Sequence, residues 1–115
     1  SAKANGRDLL IMPANEQILP AKAPTAIINV TFDFISQLLP TESLGSTHSV
    51  VVTVYSGTDA APSALLSGVT SKNGTVVTQK ITGGLAGVIY TLVCSCTTSA
   101  STTLILTARL AIVPN

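Results

Sequence analysis

From residue 25 onward, apolar and polar residues keep a two-residue beat. In residues 25–34 (TAIINVTFDF), Ile28, Val30, Phe32 and Phe34 alternate with Ile27, Asn29, Thr31 and Asp33. Successive strand side chains point to opposite faces, so this stretch predicts the first core strand. Residues 35–39 (ISQLL) stay mainly apolar up to Pro40, which opens a turn, and Leu44 is expected to anchor that corner in the core. Residues 47–56 (THSVVVTVYS), dense in β-branched side chains, predict a second strand. A loop follows at 57–62, then a weaker strand at 64–70. Lys72-Asn73-Gly74 reads as a hairpin turn, because Asn and Gly tolerate the positive φ of a type I′ turn. Residues 75–81 return as the next strand.

Residues 83–113 are the most patterned stretch and predict one long hairpin. Its first arm puts Val88, Tyr90, Leu92, Cys94 and Cys96 on one face. Its second does the same with Leu104, Leu106, Ala108, Leu110 and Ile112. The opposite faces are rich in threonine, and the small polar residues 98–102 join the arms. Six or seven strands at this spacing, with no convincing helix, indicate an all-β sandwich of about seven antiparallel strands. At the start of the hairpin, Leu85, Gly87 and Tyr90 are spaced like the tyrosine corner of fibronectin type III domains. There glycine permits the bend, and the tyrosine hydroxyl bonds backbone across the corner.

Residues 1–24 break the pattern. They hold Pro13, Pro20 and Pro24 and a short apolar patch, Leu9, Leu10, Ile11 and Met12, beside Arg7 and Asp8. Pro13 stops a ladder or helix from running on, and Pro20 leaves no length for a helix begun at Asn15. The organisation expected is an extended N-terminal arm (1–24) and one β-domain (25–115). The arm's apolar patch is expected to bury itself either on its own domain or, by a slight preference, on a neighbouring subunit, where Arg7 and Asp8 would orient it by rim ion pairs.

Composition narrows the function. The chain of 115 residues is 46% apolar and 10% charged, against a usual charged share of about 25%, and its mean hydropathy is +0.54. So few charges suit a surface covered by neighbours. A net charge of +1 and four aromatics argue against nucleic acid, and no apolar run reaches the length of a bilayer span. Cys94 and Cys96, about 7 Å apart along one strand face, are expected to be buried thiols and not a disulfide. The acids Asp8, Glu16, Asp33, Glu42 and Asp59 are scattered, His48 has no acid beside it, and no nucleophile elbow or phosphate loop occurs. Neither an enzyme, a metal site, a cofactor nor a small-molecule substrate is expected.

One motif goes further. Gly83-Gly84, Gly87, Tyr90, Leu92 and Cys94, followed by Thr97-Thr98-Ser99, resemble the C-terminal part of small tailed-bacteriophage virion proteins of the phage fiber or fiber–tail adaptor type. The similarity runs from about Lys22 to Val113. The resemblance implies an immunoglobulin-like domain in a phage particle, made in the bacterial host cytoplasm and free of enzyme activity. Its partners would be other virion subunits (tail, neck, fiber or major capsid) and copies of itself, and no membrane. Two alternatives stand beside the adaptor. One is a capsid cement or head-decoration protein of the same particle. The other is a fibronectin-like carbohydrate or adhesion module, for which Tyr55 is the aromatic candidate.

Overall fold

The structure, a computed structural model, describes residues 16–114. Among them seven strands occur: β1 (Glu16–Ile18), β2 (Ile28–Asp33), β3 (Leu44–Ser56), β4 (Leu66–Asn73), β5 (Val76–Ile81), β6 (Ile89–Thr98) and β7 (Thr103–Ala111). They form two sheets, one in the order β1-β7-β6-β3 and one in the order β2-β5-β4. The fold is all-β. A short 3-10 turn, Pro62–Leu65, leads into β4 and buries Leu65.

The two-residue beat decides what lies between the sheets. Val30, Phe32 and Phe34 from one sheet meet Val50, Val52, Tyr90, Leu92, Cys94, Ala108 and Leu110 from the other in a single buried cluster. Each large aliphatic or aromatic side chain so buried contributes about 1.5–3 kcal/mol relative to exposure. The β6–β7 hairpin pairs without a slip from Ile89↔Ala111 to Thr97↔Thr103. Its tip is organised by Thr98. The Thr98 hydroxyl accepts from the N–H groups of Ala100 (3.2 Å) and Thr102 (3.3 Å) and donates to Glu42 Oε2 at 2.8 Å.

Three expectations are adjusted. The β4–β5 turn sits one residue later than Asn73-Gly74. Asn73 pairs with Val76, so the loop residues are Gly74 and Thr75. Gly74 has φ +63°, whereas Thr75 keeps a negative φ. This is the type II′ pattern, which needs glycine only at the first position. The strand expected from residue 64 begins at Leu66, because Pro62 starts the 3-10 turn in its place. The strands are also not all antiparallel. β1 pairs parallel to β7, Gln17 opposite Ala108, and Lys22 bridges Ile112 in the same sense.

That parallel stretch carries an unexpected buried cation. Lys22 is 3% exposed, and its Nζ donates to the carbonyls of Gly83 (2.6 Å), Ala23 (2.8 Å) and Pro24 (3.4 Å). Burial lowers its pKa, and the three carbonyl dipoles stand in for lost water.

Candidate functional site

Because the inner faces of β3, β6 and β7 are committed to the core, their alternate residues build the outer face of the larger sheet. Register aligns them in rows across the sheet. Val51, Val93 and Thr107 form one row, Thr53, Thr91, Arg109 and Ile18 the next, and Ser49, Ser95 and Ile105 a third. Four apolar or aromatic side chains stand out on it: Ile18 (73% exposed), Val51 (56%), Tyr55 (55%) and Ile105 (48%).

Charge is nearly absent from this face. Among the outward residues of β3, β6 and β7, Arg109 is the sole ionised side chain. Its guanidinium carbon lies 3.7 Å from the centroid of the Tyr55 ring. Such a stack contributes about 0.5–1 kcal/mol at an exposed site and holds the charge flat against the sheet. It also occupies one face of the aromatic that a sugar-stacking reading would use. The rest of the face consists of hydroxyls and methyls, which desolvate cheaply compared with charges. The arrangement suits protein–protein contact.

The structure brings the three corner residues together. Tyr90 is fully buried, and its hydroxyl accepts from the Leu85 N–H at 3.1 Å. Gly87, between them, has φ +88°, a left-handed conformation that side chains rarely adopt. The same hydroxyl donates to Asp59 Oδ2 at 2.6 Å. That bond, followed by one from the Ala61 N–H, lowers the Asp59 pKa below the usual carboxylate range. Burial, and then the Asp59 hydrogen bond, raises the pKa of Tyr90. Asp59 carries no sequence signal for this part, since it comes from a loop 31 positions away.

Arg7, Asp8, Leu9, Leu10, Ile11 and Met12 lie outside the described residues. Cys94 and Cys96 are free and buried. Burial, with a smaller effect from Cys96, pushes the Cys94 thiol up to about 12, and burial also raises Cys96. His48 shares a 2.6 Å hydrogen bond with the Thr70 hydroxyl across the two sheets. Among the described residues no group of His, Cys, Asp and Glu could hold a metal ion, and no helix is long and apolar enough to cross a membrane.

A family model described as Gp77, podophage GP4 fiber-tail adaptor protein gp77, matches residues 22–111, most of the chain. No curated protein matches it.

Proposed function

The chain belongs to the gp77 family of podophage fiber-tail adaptor proteins, and we propose that it is a non-enzymatic subunit that joins fiber to tail in the virion. The observation that carries this reading is the outer face of the larger sheet. A face that bears Val51, Tyr55, Ile105 and Ile18, and whose one charge on β3, β6 and β7 is the stacked Arg109, fits a permanent neighbour better than water. The arm is the second attachment point, with Leu9, Leu10, Ile11 and Met12 seated on an adjacent virion subunit and Arg7 and Asp8 at the rim. Symmetric assemblies repeat each contact, so modest interfaces add up.

The domain is immunoglobulin-like in this reading. Strands β7, β6 and β3 correspond to the G, F and C strands of that fold, and β2, β5 and β4 to B, E and D. The corner at Tyr90 supports the same assignment.

The test substitutes Val51→Asp and Ile105→Asp together and measures incorporation into phage particles. Both side chains are exposed, so the melting temperature should hold while incorporation is lost, because two buried, unpaired carboxylates oppose docking. Normal incorporation of the doubly substituted protein overturns the assignment of the face. Counting copies per purified particle separates the adaptor, present at about a dozen or fewer copies in a closed ring, from a head-decoration role repeated over the whole shell.

A further inference from the structure

The second unpartnered feature is an edge. β2 pairs with β5 on one side and with no strand on the other among the described residues. Beside that open side runs a groove of about 340 Å³, walled by Leu19, Pro20 and Ala21 on one flank and by Ile28, Val30 and Thr31 of β2 on the other. The Thr31 carbonyl faces the groove and, among the described residues, accepts a long 3.4 Å bond from the Gln17 side chain and no other across the groove. In an antiparallel ladder alternate residues turn their N–H and C=O to the same side, so Asn29 presents its backbone there as well. Unpaired backbone beside apolar walls is a template for an added strand.

We propose that this edge takes the Leu9–Met12 segment of a second copy of the chain as an added strand. The inference rests on the arm being an attachment element. Three observations favour a second copy as its source. Gln17 stands opposite Thr31, and only residues 23–27 separate Lys22 from the start of β2 at Ile28, so the chain from 17 to 22 runs antiparallel to β2. The described chain therefore begins, at Glu16, at the Thr31 end of the groove. The chain's own segment would have to reverse within Pro13, Ala14 and Asn15 to come back. The fifteen residues before Glu16 span up to about 50 Å when extended, more than the domain's shorter dimensions of 25 and 22 Å. Leu9 to Met12 are four consecutive apolar residues, so either face of the strand they form can lie on the groove walls. An arm passed head to tail from copy to copy is a heterologous contact, which closes into a ring when the rotation permits.

The experiment is disulfide trapping with the full chain. Chains carrying Leu9→Cys, Leu10→Cys, Ile11→Cys or Met12→Cys are each mixed with a chain of different tag length carrying Thr31→Cys, then oxidised, both free at high concentration and during particle assembly. The native Cys94 and Cys96 are buried and serve as silent background. The expected result is a covalent dimer of unlike chains with a period-two pattern, positions 9 and 11 trapping and 10 and 12 not, or the reverse. A doubly substituted chain that closes only on itself overturns the proposal, because its own arm then fills the groove. Absence of trapping both in solution and in particles overturns it too. Trapping is read separately from incorporation. Particles that incorporate the chain without trapping leave the adaptor reading standing and remove only this inference.

Discussion

Replacing Tyr90 with Phe tests the corner with the least collateral change. The ring stays, so the core keeps its packing, and only the hydroxyl goes. In the folded chain that hydroxyl accepts from the Leu85 N–H at 3.1 Å and donates to Asp59 Oδ2 at 2.6 Å. Losing the Leu85 bond costs about 1 kcal/mol, which for a domain of this size lowers Tm by about 5 °C. Asp59 is at the surface and regains water. Its effect shows in pH. The folded pKa of Asp59 is lowered, chiefly by the Tyr90 hydroxyl, so its contribution is complete above the unfolded carboxylate value near ~3.9 and is lost as pH falls through the lower folded value. The gap in Tm between the parent chain and Tyr90→Phe should be level from pH 7 to 5 and narrow below about pH 4. Thermal unfolding followed by circular dichroism at several pH values measures it. No gap at pH 7, or one that widens in acid, refutes the reasoning.

Other outcomes follow from single features. Thr98→Val removes the acceptor for the Ala100 and Thr102 N–H groups and should cost about 1–3 kcal/mol in urea unfolding, with faster amide exchange at those two residues. Lys22→Met should destabilise by a similar amount, about 1–3 kcal/mol, since the Gly83 and Ala23 carbonyls lose their donor while the buried stem is kept. Cys94 and Cys96 should resist thiol reagents in the folded chain and react once it unfolds. Their folded pKa values are raised, so the stability they confer is full below the unfolded thiol value near ~8.5 and is lost as pH climbs from there toward about 12. An alkaline titration of Tm that is flat up to pH 11 contradicts this.

The strands were legible where period-two alternation ran long enough to show itself. The hairpin from Ile89 to Ala111 pairs as its pattern demands, and Phe32, Phe34 and Leu44 are buried as their positions require. Short-range chemistry misled at Asn73-Gly74, where one glycine suffices and the turn moved by a residue. β1 has three residues, fewer than two full periods, so no alternation could mark it. Lys22 falls within residues 1–24, where no pattern marks it for burial, yet its place is set by Gly83, 61 positions away. The outer face was half visible. Its threonines were evident in the pattern, but the union of Val51, Ile105 and Ile18 needed register across three strand pairings.

The parallel pairing of the first described strand with the last has a mechanical consequence. Leu19 donates to the Arg109 carbonyl, Lys22 to the Ala111 carbonyl and Val113 to the Lys22 carbonyl, all at 2.9 Å. A pull that draws the N-terminal side against the residues beyond Val113 slides these strands lengthwise past each other. All the bonds of the seam then bear the load together and do not open one after another. Endurance under such a load is set by the unfolding rate and not by the equilibrium stability. The fold is thereby fastened against a load applied between its N-terminal side and its C-terminal end.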